Sequence, residues 1–153
     1  MSPDEKPVVF AYDGSDQAKH AIEQAGVELR TPRKAVVVAA FEPLGAIPFW
    51  SGSRAIVPDE LLESVREEAA KTAEEGAELA RAAGFDATSK TEAGDRTWQA
   101  ILDAAKEIDA GMIVLGSHGR GTVGSAVLGS VATAVAQHAH LPVMICRPAE
   151  AAA

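Results

Sequence analysis

One stretch of the chain decides the fold: Ala35-Val36-Val37-Val38-Ala39-Ala40-Phe41, in which every residue is apolar. A strand with one exposed face alternates apolar and polar residues, whereas a strand covered on both faces does not. The run therefore predicts a central strand of a parallel sheet, with helices packed on both of its faces.

Shorter apolar runs recur along the chain, each followed by a turn or a helix-period segment. The predicted strands are residues 8–12, 35–41, 85–92, 112–115 and 142–146. The third is the most polar, which is typical of a sheet edge. The pattern predicts an α/β class with a single doubly wound, five-stranded parallel sheet, Rossmann-like, with strand order 3-2-1-4-5. We expect one domain over residues 1–148 and a flexible tail over residues 149–153.

Helix-period segments lie between these strands. Ser15 predicts the N-cap of the first helix, and Pro32 ends it. The longest helix is predicted over residues 59–83, with an inward stripe of Leu61, Leu62, Val65, Ala69, Ala73 and Leu79. A third helix is predicted over residues 97–108. The fourth carries Val127, Val131, Ala134, Val135 and His138.

Composition argues against several classes of function. A formal net charge of −8 repels nucleic-acid backbones and anionic membranes, so we expect neither as a partner. The single cysteine, Cys146, allows no internal disulfide or thiolate cluster, and its apolar neighbours indicate a buried thiol. No apolar stretch approaches the roughly 20 residues of a membrane helix, and the first residues do not resemble a signal peptide. These features predict a cytoplasmic protein.

Two loops at the carboxyl ends of predicted strands have the composition of a binding site. One is Asp13-Gly14-Ser15, after the first strand, and the other is residues 116–130, which contain five glycines in fifteen positions. Glycines let main-chain N–H groups approach an anion, and the following helix adds its positive end. Hydroxyl side chains and Arg120 add further donors.

Two familiar phosphate-binding patterns fit the second loop poorly. Gly119 and Gly124 have the Walker A glycine spacing, but Ser125 stands where that motif requires lysine. A dinucleotide fingerprint spans residues 119–124, yet it follows the fourth strand and lacks an acidic residue about 20 positions on, at a second strand end. An NAD-dependent oxidoreductase is therefore a distant alternative.

A third pattern, Gly-x2-Gly-x9-Gly-Ser, is met by Gly116, Gly119 and Gly129-Ser130. Together with residues 11–15, 42–43, 91–95, 113–120 and 128–131, it resembles the universal stress protein family in its ATP-binding branch. The resemblance extends over residues 8–148. It implies bound ATP, with Mg²⁺ or Mn²⁺, in a nucleotide-dependent regulatory protein of the stress response.

The resemblance also implies a role for each matching position. Ala11, Tyr12 and Asp13 line the nucleoside wall. Main-chain groups near Ala40 hold the adenine, and Leu115 and Gly116 border the ribose and phosphates. The implied N–H or hydroxyl donors to the phosphates are Gly119, Gly129, Ser130 and Val131.

Two positions depart from the family pattern. Ala132 stands where a hydroxyl residue is frequent, which removes one phosphate contact. Tyr12 replaces a smaller residue and either crowds the pocket or stacks on its rim. Arg120 is either a phosphate contact or a solvated loop residue.

Structural roles stay open for several candidates. Asp13 is either a nucleoside contact or a helix cap, and Gly116 and Gly119 either cradle phosphates or only allow a helix to pack closely on a strand. His118 has no partner that the sequence assigns. We therefore expect no catalytic residue and, at most, weak ATP hydrolysis or autophosphorylation at Ser130 or a neighbouring hydroxyl.

Metal ligands are not expected either, because His138 and His140 lie two positions apart and face different sides of a helix end.

The resemblance further implies a homodimer through the last strand, Val143 to Cys146, and a regulatory protein partner that the sequence does not identify. Phe49 and Trp50, in the irregular segment 43–58, form a lid, a subunit contact or part of the core. An interaction module that no longer binds nucleotide is a second alternative function.

Overall fold

A computed structural model of the chain describes residues 5–43, 58–118 and 127–148. Strands and helices alternate in the order β1 (Val8–Ala11), α1 (Asp16–Glu28), β2 (Lys34–Phe41), α2 (Asp59–Ala82), β3 (Asp86–Ala93), α3 (Thr97–Ile108), β4 (Met112–Gly116), α4 (Ser130–His138) and β5 (Val143–Cys146). All strand pairs are parallel, and the sheet order is β3-β2-β1-β4-β5. The predicted α/β class, parallel sheet and strand order are confirmed.

The unbroken apolar run of β2 lies inside this sheet. β2 pairs with β1 on one edge and with β3 along its whole length on the other. Val37 and Val38 point to opposite faces, and both are fully or almost fully buried. Because both faces of β2 are covered over residues 37–39, the centre of the run needs no polar side chain.

Each face of the sheet carries its own hydrophobic core. α1 and α2 cover one face, where the rings of Phe10 and Phe85 meet edge-on with centroids 5.1 Å apart. α3 and α4 cover the other face, where Ile101 and Val135 join Val9 of β1. Successive residues of β1 therefore point into different cores, as the alternation of side chains along a strand requires.

Only the carboxyl-terminal half of α2 packs on the sheet. Ala73, Gly76, Ala77 and Ala80 are buried, whereas Leu61 is 47% exposed, so its predicted place in the inward stripe is wrong. Leu62, Val65 and Ala69 are partly buried. A helix of 24 residues is about 36 Å long. The eight residues of β2 span only about 26 Å, so the helix is longer than the sheet it covers. In the described part of the chain, no helix is both long and apolar enough to cross a membrane.

α4 begins later than its apolar pattern predicts. Val127 precedes the helix and is 73% exposed, so its predicted place on the helix is wrong. The main chain of Gly129 is extended, with φ −64° and ψ 164°, and its N–H donates to the Ser117 carbonyl at 2.8 Å. This bond draws the chain towards β4, so the helical path starts only at Ser130.

Candidate functional site

A cavity of about 310 Å³ lies at the carboxyl ends of β1, β2 and β4. Its volume is at the lower end of the range of about 300–1,000 Å³ found for small-molecule sites. The helix after β1 packs on one face of the sheet and the helix after β4 packs on the other, so the cavity occupies the point where the chain reverses its winding.

Ten of the twelve predicted site residues line this cavity: Ala11, Tyr12, Asp13, Ala40, Leu115, Gly116, Gly129, Ser130, Val131 and Ala132. The other two, Gly119 and Arg120, lie outside the described residues. The structure thus brings together positions that are up to about 120 residues apart in the sequence, as convergent strand ends in a parallel sheet do.

Five further residues line the cavity without having been assigned to a site from the sequence: Ala18, Val38, Thr97, Ile101 and His118. Val38, Ile101 and Leu115 form an apolar wall. Their spacing in the sequence predicts that they are core residues. No local feature of the sequence distinguishes a core residue from one that lines a cavity. His118 did carry a signal, because it lies inside the glycine-rich loop.

Asp13 occupies the turn between β1 and α1. Its Oδ1 accepts the N–H of Ser15 at 2.9 Å, and the intervening Gly14 has a φ of 81°, which favours glycine. The helix cap itself is Ser15, whose Oγ accepts the N–H of Ala18 at 3.2 Å. Asp13 is therefore a turn residue with an exposed carboxylate, and it is the single carboxylate among the described residues that line the cavity.

Tyr12 lines the cavity, but its ring does not stack on an exposed rim, so that expectation is wrong. The residue is 3% exposed and belongs to the core beneath α1 and α2. A Cβ on Gly76 would lie 2.7 Å from the Tyr12 ring, so this glycine makes the space for it. The phenol donates to Glu75 Oε1 at 2.8 Å, on the face of the sheet opposite Ile101.

The main chain of Ala40 lines the cavity, and on its β1 side no strand of the described residues lies beside it. β1 ends opposite Val38. On the β1 side, the N–H of Tyr12 donates to the Val38 carbonyl at 3.0 Å; on the β3 side, the N–H of Gly94 donates to the Phe41 carbonyl at 3.1 Å. Because main-chain groups alternate between the two edges of a strand, Ala40 directs its N–H and C=O into the space beyond the end of β1.

The amino end of α4 forms the other polar part of the cavity. Its first three residues, Ser130, Val131 and Ala132, line the cavity, and N–H groups at these positions have no partner within a helix. No side chain of the described residues caps this end. N–H groups without a partner within the helix and the positive end of the helix dipole together favour an anion.

Two glycines of the motif lie where another segment of main chain passes close to them. A Cβ on Gly116 would lie 3.2 Å from the main chain of Gln17, and one on Gly129 would lie 3.1 Å from the Ser117 carbonyl oxygen. The packing role that the sequence left open for Gly116 is therefore present. The N–H of Gly129 is already bonded to Ser117, so it is not the free donor that the resemblance implied.

A buried hydrogen-bond cluster lies behind the amino end of α4. Ser117 and His118 are 0% and 5% exposed, and they are the buried polar residues of the described chain. Ser117 Oγ lies 3.0 Å from His118 Nδ1 and 3.3 Å from Gln17 Oε1. The partner that the sequence did not assign to His118 is thus its own neighbour.

Cys146 is buried, as predicted, at 5% exposure. Burial raises the pKa of its thiol, and the nearby Glu28 carboxylate raises it further. The thiol is therefore neutral and poorly nucleophilic at physiological pH.

His138 lies in the last turn of α4 with its ring stacked on Trp98, at a centroid distance of 4.5 Å and an interplanar angle of 15°. In the described ranges, no group of three or more His, Cys, Asp or Glu side chains is placed to hold a metal ion.

The model of the universal stress protein family matches residues 5–147. The chain belongs to this family. A universal stress protein of Thermus aquaticus, named for its place in the QAH/OAS sulfhydrylase 3'region, is 37% identical over 148 residues, which are 93% of this chain and 98% of that relative. The resemblance drawn from the motif is therefore confirmed at the level of the family.

Two solved universal stress proteins hold nucleotides. One, in complex with cAMP, has a TM-score of 0.66 and 26% identity over 94% of this chain and 98% of its own. The universal stress protein of Archaeoglobus fulgidus in complex with dAMP has a TM-score of 0.58 and 25% identity over 92% of this chain and 96% of its own. Some structural neighbours of this universal stress protein thus bind adenine nucleotides.

Proposed function

We propose that this universal stress protein binds an adenine nucleotide, ATP with Mg²⁺ or Mn²⁺, and acts as a nucleotide-dependent regulator in a stress response. One observation carries the proposal. The apolar wall of the cavity has at one end the main chain of Ala40, which pairs with no described strand on its β1 side, and at the other the amino end of α4. A nucleotide has matching parts in the same order: a flat base with polar edges, a sugar, and an anion.

The base is assigned to the wall of Val38, Ile101 and Leu115. These side chains line the cavity, and Val38 and Ile101 are almost completely buried. An adenine edge offers both a hydrogen-bond donor and an acceptor, and Ala40 offers the complementary main-chain pair. Main-chain recognition needs no particular side chain, which explains why a strand of plain apolar residues can contribute to a specific site.

The phosphates are assigned to the first three residues of α4. Ser130, Val131 and Ala132 supply N–H groups, and Ser130 adds a hydroxyl. Ala132 has no hydroxyl, so its side chain cannot supply the contact that is frequent in the family. We extend the phosphate site to Gly119 and Arg120, which lie outside the described residues, and assign the divalent cation to the phosphates themselves.

The two neighbours in complex with cAMP and dAMP support the choice of an adenine nucleotide. Each of those ligands carries one phosphate group. The triphosphate is the more specific part of the proposal, because it rests on the resemblance to the ATP-binding branch.

A regulatory role is proposed ahead of catalysis because the carboxylate of Asp13 is already bonded in the turn, and His118 is bonded within its own cluster. Slow autophosphorylation at Ser130 is the second candidate, since this exposed hydroxyl lines the cavity at the amino end of α4. Transfer of labelled γ-phosphate to the protein, lost in Ser130→Ala, would favour that candidate.

We also propose a homodimer through β5. This strand pairs with β4 on one edge, and no described strand pairs with its other edge. Val143, Met144 and Ile145 are each partly exposed, which suits an antiparallel contact across a two-fold axis. Light scattering coupled to size-exclusion chromatography should give the mass of a dimer, and Met144→Lys should give that of a monomer.

The test of nucleotide binding exploits the tolerance of helices for proline at their first position. Ser130→Pro removes the N–H and the hydroxyl of Ser130, and the extended conformation of Gly129 suits the residue before a proline. Asp59→Pro is the matched control, because Asp59 is the first residue of α2 and does not line the cavity.

Titration calorimetry with Mg-ATP should show binding to the wild type and to Asp59→Pro. Ser130→Pro should bind at least about 10- to 150-fold more weakly, since the loss of one hydrogen bond to a charged group alone has that effect. Chromatography of the supernatant after heat denaturation should recover ATP from the protein as purified. A stripped protein whose melting temperature does not respond to millimolar Mg-ATP would refute the proposal.

A further inference from the structure

The His118 side chain is buried, bonded through both ring nitrogens, and has no role in the contacts assigned to the nucleotide. Its Nε2 contacts the carbonyl oxygen of Val127, and its Nδ1 lies 3.0 Å from Ser117 Oγ. A carbonyl oxygen only accepts, so Nε2 carries a proton and donates it. The two bonds leave the ring a single orientation.

The residues around the ring are themselves held on two sides. Gln17 Oε1, from the first turn of α1, accepts the N–H of His118 at 3.0 Å. The N–H of Ser117 donates to the Cys146 carbonyl of β5 at 2.9 Å. Residues 117–118 are thus fixed to α1 and to β5, and the ring is attached to a rigid base.

From this base, two bonds reach the chain that leads into α4. The ring of His118 binds Val127, and the carbonyl of Ser117 accepts the N–H of Gly129 at 2.8 Å. Gly129 is the N-cap of α4, and the next residue, Ser130, is the first of the three whose N–H groups border the cavity. The place and direction of those N–H groups therefore depend on how Val127 and Gly129 are held.

We infer that His118 is a positioning residue for the phosphate end of the cavity: its ring holds Val127 so that the N–H groups of Ser130, Val131 and Ala132 converge on one phosphate group. The inference rests on the proposed nucleotide function. It predicts that His118 affects the binding of the phosphate group. It also predicts that His118 does not affect the binding of the base by Val38 and Ala40.

The variants separate the ring's hydrogen bond from its volume. His118→Leu fills similar space without a donor. His118→Gln places an amide N–H near the position of Nε2 and keeps a donor for the Val127 carbonyl. His140→Gln is the matched control, because His140 is exposed and does not line the cavity.

Affinities are measured by calorimetry for adenosine, AMP and Mg-ATP. His118→Leu should bind AMP and Mg-ATP about five- to tenfold more weakly, the effect of one lost hydrogen bond, with adenosine affinity unchanged. His118→Gln should recover most of the loss, and His140→Gln should equal the wild type. Equal losses for adenosine and for both phosphorylated probes would overturn the inference, because they would make the residue merely structural.

A second measurement needs no nucleotide. Hydrogen exchange at the Gly129 amide reports whether its bond to Ser117 persists. In His118→Leu this amide should exchange about five- to tenfold faster, with the exchange of β1 amides unchanged. Unchanged Gly129 exchange would overturn the inference even if nucleotide binds. If the wild type binds none of the three probes, the proposed function fails, while Gly129 exchange still decides whether the ring positions α4.

Discussion

Replacing Ala40 by proline should remove one N–H from the base end of the cavity and no hydrogen bond from the sheet. The bonds of Val38 to the β1 side and of Phe41 to the β3 side establish the alternation along β2. By that alternation, the N–H of Ala40 points beyond the end of β1, where proline is tolerated as on an edge strand. Ala39→Pro is the matched variant, because the N–H of Ala39 faces β3 and belongs to the ladder.

The expected magnitudes of the two changes are distinct. A neutral hydrogen bond to the base contributes about 0.5–1.5 kcal/mol, so Ala40→Pro should weaken adenosine binding by about 2- to 13-fold. It should leave the free energy of unfolding nearly unchanged. Ala39→Pro removes a hydrogen bond of the β2–β3 ladder and leaves a β3 carbonyl without its donor, which costs about 1–3 kcal/mol of stability.

Calorimetry with adenosine and urea denaturation followed by circular dichroism measure the two quantities separately. AMP should lose the same factor as adenosine, since its phosphate lies at the other end of the cavity. The reasoning is refuted if Ala40→Pro binds adenosine like the wild type, or if it destabilises the fold as much as Ala39→Pro does.

Three further perturbations test other parts of the structure. Gly76→Ala puts a Cβ 2.7 Å from the Tyr12 ring and should lower the midpoint of urea denaturation. The overpacking costs about 1–3 kcal/mol of stability, and the higher helix propensity of alanine offsets about 1 kcal/mol of it. An unchanged or higher midpoint would mean that the ring moves to accommodate the methyl group. Asp13→Asn keeps an oxygen that can accept the hydrogen bond of the turn, but it should weaken adenosine binding about tenfold. It should weaken Mg-ATP binding less, because the carboxylate that it removes also repels the phosphates. Asp16→Asn is the control: this residue does not line the cavity, so neither affinity should change. Cys146 should react with DTNB only after unfolding. Because burial raises its folded-state pKa, stability should fall as the pH rises above about 8.5, where the unfolded thiol alone ionises.

The fold was predictable from the sequence because its signals are local. The unbroken apolar run of β2 indicated cover on both faces, and the segment 97–108 showed helix periodicity that coincides with α3. Capping by Ser15 and the left-handed Gly84, with φ 108°, likewise follow from residue type at a turn.

The details that the sequence missed depend on contacts between distant residues. The place of the Tyr12 ring depends on a gap opposite Gly76, and the partners of Gln17 lie 100 and 101 positions away. Exposure of Leu61 follows from the relative lengths of α2 and the sheet, which no local pattern encodes. The candidate site residues were predicted from the family motif, because the spacing of its glycines carries information that composition alone does not.

If the amino end of α4 is the proposed phosphate site, ligand binding completes the fold there. α1 is completed by its own Ser15, a kind of cap that typically contributes about 0.5–2 kcal/mol. At the matching position of α4, the Ser117 carbonyl leaves little room for a side chain on Gly129. A bound phosphate would therefore act as the missing cap, and the order of this helix would record whether nucleotide is present. On the proposed function, the protein would sense its ligand by completing a helix and would need no hinge to do so.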